Sequence, residues 1–149
     1  MILPITLTIA GAAAIVNFWL AVRVATLRVK GKVLIGDGGN PLILARMRAH
    51  SNFIEYTPFV LILIALIEMA HGSPTWLLAA GIIFIIGRIC HPFGIDRGTP
   101  NILRGAGIMI TFIVMLGLAG YALTIPYKLH QGTLTSVTTG DSATTSAPH

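Results

Sequence analysis

The chain has 149 residues, of which 54% are hydrophobic and only 10% are charged, and its mean hydropathy is +0.83. Soluble domains carry roughly 25% charged residues, so this composition excludes an ordinary soluble domain and indicates an integral membrane protein. The net charge of +5 does not indicate nucleic-acid binding, because the basic residues cluster at the ends of apolar segments. Cys90 is the only cysteine, which excludes an internal disulfide and a multi-cysteine metal site, and we expect no metal.

Four apolar segments predict four membrane-spanning helices, each with about the 20 residues that a span requires. The predicted helices cover about residues 2–28, 41–71, 74–96 and 101–127. Glycine, proline and asparagine mark the connections between them, and Pro41 suits the first position of a helix. The predicted fold is therefore all-α: an integral membrane four-helix bundle with left-handed, up-down topology.

The predicted membrane domain occupies residues 1–128. From residue 129 the chain becomes rich in threonine, serine and glycine. Such a segment buries too little apolar surface to fold alone, so residues 129–149 are predicted to form a disordered polar tail.

The basic residues predict the orientation in the membrane. Nine of the ten lysines and arginines flank the first and third connections, and only Lys128 lies toward the opposite side. Because basic loops stay in the cytoplasm, we expect both connections to be cytoplasmic and both termini to be outside.

Charged residues inside an apolar segment indicate a functional site, since each costs several kcal/mol at membrane depth unless it is paired or faces a cavity. On the second predicted helix, Arg48, Asn52, Glu55 and Phe59 fall within a stripe roughly 60° wide. The alternative is a structural polar seam that holds helices together.

On the third predicted helix, Arg88, His91 and Ile95 share one face. Arg88 lies at about the depth of Glu55, so a Glu55–Arg88 ion pair is a natural hypothesis for two otherwise unpaired buried charges. The alternative for His91 is a packing role, because a lone helical histidine is more often a hydrogen-bonded packing residue than a base or a ligand.

Two further arginines lie near the predicted cytoplasmic ends of helices. Arg104 opens the fourth helix, where it is either a site residue or an anchor that extends its charge to the interface. Arg23 lies about one turn deeper than Arg28 near the end of the first helix, and basic residues there also favour the helix dipole.

The segment RAHSNFIEYTPF at residues 48–59 resembles the R-A-x-x-N-x-x-E-Y-x-P-x-F signature of the membrane-associated proteins in eicosanoid and glutathione metabolism, the MAPEG family. The GDGG sequence before it is similar to the bacterial branch, as is Gly87-Arg88-x-x-His91 followed by Arg104. The spacing of these last residues resembles microsomal prostaglandin E synthase. The resemblance covers roughly residues 10–125.

This resemblance implies a homotrimer of four-helix subunits in a bacterial inner membrane, with glutathione as co-substrate between neighbouring subunits. It implies that Arg104 stabilises the glutathione thiolate, which then attacks a lipophilic small molecule arriving from the membrane. Membrane lipids are further expected partners. It further implies six glutathione-binding residues: Arg23, Arg48, Asn52, Glu55, Arg88 and His91.

The expected activity is that of a membrane-bound glutathione transferase or peroxidase-like enzyme. Two departures weaken the case for turnover: Ile95 replaces a tyrosine found in many active relatives, and Gly105 replaces a hydroxyl-bearing residue. The alternatives are a non-catalytic glutathione- or lipid-binding membrane protein, and a small transporter or channel subunit with Arg88 and Glu55 in a polar path.

Overall fold

The computed structural model describes residues 2–97 and 101–143, and beyond Tyr127 it describes the backbone alone. It contains four helices: α1 (Pro4–Lys30), α2 (Pro41–His71), α3 (Thr75–Asp96) and α4 (Ile102–Ala143). Each is long and apolar enough to cross a membrane, α4 over the part Ile102–Tyr127. The predicted all-α, four-helix membrane bundle is confirmed.

The connection between α1 and α2 follows from its glycines and from Asn40. Gly36, Gly38 and Gly39 all have positive φ, which glycine adopts at little cost. The Asn40 side chain then accepts hydrogen bonds from the Leu42 and Ile43 N–H groups, at 2.9 and 3.3 Å. These bonds satisfy two donors that would otherwise be unpaired at the start of a helix, and α2 begins at Pro41 as predicted.

The end of α4 differs from the prediction. The sequence predicts a helix to residue 127, whereas the backbone of α4 is helical through Ala143. The expected disorder of residues 129–149 stays a prediction. Once a helix has nucleated, each further residue adds one backbone hydrogen bond, so a helix extends readily into polar sequence. Residues 144–149 lie outside the described residues.

The helices pack around aliphatic side chains, with α3 and α4 in the most extensive contact. α1 packs on α2 and α3 and makes no close contact with α4 in the described parts of the chain. One core cluster, which includes Ile9, Ile64, Leu77, Phe84 and Leu118, joins all four helices.

Glycines bring α3 and α4 unusually close together where the site residues lie. A Cβ atom added to Gly94 would be 2.3 Å from the Arg104 backbone nitrogen, and one added to Gly107 would be 2.7 Å from the His91 Cβ. A side chain at either position would therefore push the helices apart. The close approach holds the start of α4 against the end of α3.

At the opposite end of the bundle, a buried carboxylate joins α1 to α2. Glu68 is only 2% exposed. It accepts hydrogen bonds from the Ile5 N–H at 2.9 Å, the Thr6 N–H at 2.8 Å, the Thr6 hydroxyl at 2.7 Å and the Ser73 hydroxyl at 2.6 Å. Two of these donors are the free N–H groups at the start of α1, where the helix dipole also favours a negative charge.

Candidate functional site

A cavity of about 740 Å³ opens where α2 and α4 begin and α3 ends. Its polar lining comes from three helices and consists of Arg48, Ser51, Asn52, Glu55, His91 and Arg104. Aliphatic side chains, Ile95 and Ile108 among them, line the rest. The cavity thus combines two guanidinium groups, one carboxylate and neutral hydrogen-bonding groups with an apolar wall.

The predicted stripe on α2 contributes three of these residues. Arg48, Asn52 and Glu55 all line the cavity, whereas Phe59 does not. Arg48 and Glu55 are exposed and make no hydrogen bond or ion pair with any other residue that the structure describes. The Asn52 Oδ1 atom is buried without a hydrogen-bond partner. Unpaired charges and an unsatisfied buried oxygen are costly, so these groups are available to a bound molecule.

His91 and Arg104 face the same cavity from α3 and α4. The His91 Nδ1 atom lies 3.2 Å from the Arg104 carbonyl oxygen. Since a carbonyl oxygen only accepts, Nδ1 carries the hydrogen, and Nε2 of the neutral ring is then an acceptor. The Arg104 N–H donates to the Asn101 side-chain oxygen at 3.0 Å. The Arg104 backbone is therefore fixed on both sides, while its exposed guanidinium has no partner among the described side chains.

Arg88 is placed differently from the prediction. It is 1% exposed, it does not line the cavity, and it donates to the Thr111 hydroxyl at 3.2 Å. Its guanidinium carbon lies 5.6 and 5.9 Å from the ring centroids of Phe53 and Tyr56.

The hypothesis of a Glu55–Arg88 ion pair is wrong for this chain. Glu55 is close enough to exert a favourable electrostatic field at Arg88. No oxygen–nitrogen pair of these two residues, both of which the structure describes, comes within the 4.0 Å of an ion pair. The physical reason is that Arg88 is buried in the core, where its guanidinium donates to Thr111 of α4 and lies beside the Phe53 and Tyr56 rings of α2. Glu55 is exposed and lines the cavity instead.

Arg23 also lies apart from the cavity. Its guanidinium forms an ion pair with Asp96 and lies 4.8 Å from the Trp19 ring centroid and 5.6 Å from that of Phe93. Arg46 adds a second charge at 3.4 Å from the same Asp96 oxygen. This cluster joins α1, α2 and α3, and it already supplies Arg23 with a carboxylate.

Sequence reasoning missed Ser51 as a lining residue and Asp96 as the partner of Arg23. Ser51 lies between Arg48 and Asn52, and its spacing of three from Arg48 was the available signal. Asp96 is one of only five acidic residues in the chain. Its position at the end of α3, among basic helix ends, was the corresponding signal.

The model of the MAPEG family matches residues 6–124 of this chain, which include every residue of the cavity. The chain belongs to the MAPEG family. The family match extends from the start of α1 nearly to the end of the apolar part of α4, so it covers all four membrane-spanning helices of this MAPEG protein.

Curated relatives of this MAPEG protein include the inner membrane protein YecN of Escherichia coli K12. It is 32% identical over 94 residues, which cover 62% of this chain and 70% of YecN. YecN of Escherichia coli O6:H1 strain CFT073 matches with the same identity and coverage.

Proposed function

We propose that this MAPEG protein is a glutathione-dependent transferase or peroxidase-like enzyme of the membrane. The observation that carries the proposal is the set of unpartnered groups around one cavity. The side chains of Arg48, Glu55 and Arg104 make no hydrogen bond or ion pair within the described chain, and all three residues line the cavity together with Asn52, whose Oδ1 is unsatisfied. The membership of the chain in the MAPEG family, which includes glutathione transferases, is the second support.

The charges of the cavity are complementary to glutathione. Glutathione carries two carboxylates, one ammonium group and two peptide units. Arg48 is suited to bind a carboxylate through two parallel hydrogen bonds, and Glu55 is suited to receive the ammonium group. The Asn52 oxygen accepts from a peptide N–H. Arg88, behind this layer, adds a positive field rather than a direct contact in this arrangement.

Arg104 is proposed to stabilise the thiolate. A guanidinium beside the sulfur favours the charged form of the thiol and therefore raises the fraction of the nucleophile. The proton goes to solvent or to the Nε2 acceptor of His91. The sulfur then forms a bond to an electrophilic carbon of the second substrate as the leaving group departs with its electrons. The apolar wall with Ile95 and Ile108 suits a lipophilic substrate that enters from the bilayer.

We also propose that the protein is a homotrimer in which a neighbouring subunit covers the cavity. Glu55 is exposed on the single chain although it belongs to a membrane-spanning helix. Asn17, within α1, is likewise exposed, and its Oδ1 atom accepts a hydrogen bond from the His50 Nε2 atom at 2.9 Å. Polar groups at membrane depth face protein or a water-filled cavity rather than acyl chains. A second copy of the chain would supply that environment.

The proposed location is a bacterial inner membrane, because the YecN relatives are named as inner membrane proteins. Nine of the ten basic residues lie toward the end of the bundle that carries the cavity. By the positive-inside rule, this end is proposed to face the cytoplasm, where glutathione is available, with both termini outside.

The test is a conjugation assay on the purified full chain with glutathione and chlorodinitrobenzene. Arg104→Ala should lower kcat/KM by about 100-fold, the usual loss when one charge-stabilising donor is removed. Arg97→Ala, which removes an exposed arginine outside the cavity, is the matched control and should leave kcat/KM within about twofold. Equal losses in the two variants would refute the role of Arg104.

A non-catalytic glutathione-binding protein is the second candidate function. It is favoured by Ile95 in the cavity wall and by Gly105 after Arg104, since both positions lack a hydroxyl group that could assist the thiol. Calorimetry separates the two candidates. Glutathione binding without conjugation or peroxidase turnover, and without an effect of Arg104→Ala, would establish the binding protein.

A further inference from the structure

A second cavity, of about 620 Å³, lies against the last turns of α1 and the connection that follows. Its lining comprises Ala25, Arg28, Val29, Lys32, Val33 and Leu34. None of these residues lines the cavity discussed above. We call it the headgroup cavity. It combines two cations with four apolar side chains within one short stretch of chain.

The cations of this region have no acidic partner. Arg28, Lys30 and Lys32 form no ion pair with any carboxylate that the structure describes. Asp37, the acidic residue of the same connection, accepts a hydrogen bond from the Gly39 N–H at 3.2 Å. The region therefore carries an uncompensated positive charge.

Arg28 lines the headgroup cavity, and its hydrogen-bonding groups are only partly satisfied. One guanidinium nitrogen donates to the Leu34 carbonyl oxygen at 2.9 Å, which ties the connection back onto the helix. The Nε atom is buried without a hydrogen-bond partner. A buried unsatisfied donor is costly, and an anionic oxygen in the cavity would relieve that cost.

The backbone places Lys32 beside Arg28 at some energetic expense. Lys32 has φ of 53°, a left-handed conformation that a residue with a Cβ rarely adopts. Its N–H donates to the Val29 carbonyl oxygen at 3.2 Å, and the Val33 N–H donates to that of Arg28 at 2.9 Å. These bonds turn the chain at the end of α1, and Arg28, Lys32 and Val33 all line the cavity.

The same region displays apolar side chains that water would not favour. Val29, Leu34 and Ile35 are 79, 92 and 89% exposed. α1 contains 27 residues and is therefore about 40 Å long, compared with about 30 Å for the hydrocarbon core. Its last turn accordingly reaches the headgroup layer, where apolar side chains contact acyl chains and basic side chains contact phosphates.

We infer that the headgroup cavity binds the phosphate of an anionic phospholipid, with Val29, Leu34 and Ile35 against its acyl chains. A free phosphate would use the cations and leave the apolar side chains in water. A zwitterionic lipid would bring a cationic group to a region whose acidic residue, Asp37, is already engaged by backbone. The combination of unpaired cations and exposed apolar groups therefore favours an anionic lipid.

The experiment measures phosphatidylglycerol binding to the delipidated full chain in detergent by native mass spectrometry. The double variant Arg28→Gln/Lys32→Gln should lower the affinity at least fivefold. Lys30→Gln is the matched control: it removes a neighbouring charge of the same connection that does not line the cavity, and it should change the affinity less than twofold. Glutathione binding should be unchanged in every variant, so failure here leaves the proposed function untouched.

Three outcomes would overturn the inference. Equal losses for Lys30→Gln and the double variant would show diffuse attraction rather than a site. Equal affinity for phosphatidylcholine would remove the anionic preference, and full displacement by millimolar inorganic phosphate would identify a free-anion site. If the double variant does not fold, the phosphatidylglycerol affinity of Lys32→Gln is measured instead, because the Lys32 side chain makes no hydrogen bond within the described chain. An affinity equal to that of Lys30→Gln would then overturn the inference.

Discussion

Two glutamates on α2, one near the middle of the helix and one near its last turn, have opposite environments. Glu55 and Glu68 are about 20 Å apart along the helix. Glu68 is 2% exposed and accepts four hydrogen bonds from α1 and from the turn after α2. Glu55 is exposed, lines a cavity and has no partner in the described chain. A glutamate carboxylate on α2 therefore joins helices at Glu68, whereas at Glu55 it is available to a ligand.

This difference shows that a charge in a membrane helix is not sufficient evidence for a site. The deciding quantity is how many of its hydrogen bonds the folded chain already supplies. Glu68 is fully satisfied by the chain itself, so a bound ligand would have to displace native donors. Arg23 is intermediate: Asp96 provides its counter-charge, while its Nη1 atom is buried without a hydrogen-bond partner.

The largest effect is expected for Glu68→Ala. This variant leaves the Ile5 and Thr6 N–H groups without their acceptor inside the bundle, and it should lower the free energy of unfolding by about 3 kcal/mol. Glu68→Gln keeps one oxygen acceptor and should lose only about 1 kcal/mol. Reversible unfolding in mixed detergent measures both values. If the affinity for glutathione falls together with the free energy of unfolding, Glu68 is not independent of the cavity that Glu55 lines, and the comparison fails.

Glu55→Gln should show the reverse behaviour. It should weaken glutathione binding by about 10- to 100-fold, since it removes the carboxylate that we propose receives the ammonium group. The free energy of unfolding of the single subunit should change by less than about 0.5 kcal/mol, because no intrachain contact is lost. Calorimetry on the purified chain measures the affinity. Unaltered binding would remove Glu55 from the proposed site.

A smaller effect is expected at the Arg23–Asp96 pair. Asp96→Asn and Arg23→Ala should each lower the free energy of unfolding by about 1 kcal/mol, as for partly exposed charge pairs. Both should leave glutathione affinity within about threefold, because neither residue lines the cavity. If Arg23→Ala alone abolishes binding, Arg23 reaches the ligand in the assembled protein, as the family resemblance implies.

Much of the fold could be predicted from local sequence. Long apolar segments require helices in a bilayer because every backbone polar group must be satisfied internally. The glycines before Asn40 and Pro41 located the start of α2, and the spacing of Arg48, Asn52 and Glu55 placed them on one face. The end of α4 could not be predicted, because helix continuation into polar sequence depends on small differences in propagation energy.

Local sequence did not predict which groups the charged residues contact. Depth alone suggested that Glu55 and Arg88 pair, since both lie at about the same level of the bilayer. Depth does not specify rotation about the helix axis. Arg88 instead turns toward Thr111 on α4, with the Phe53 and Tyr56 rings over its guanidinium.

The sequence by itself determined the number of helices, their membrane character and the face of α2 that lines the cavity. Only the tertiary structure decided which charges are satisfied within the chain and which remain free. Helical periodicity orders side chains within one helix, whereas pairing depends on how closely helices approach. In this protein the distance between α3 and α4 depends on contacts such as that of Gly94 with the Arg104 backbone. The residue pattern of a single helix does not predict such contacts.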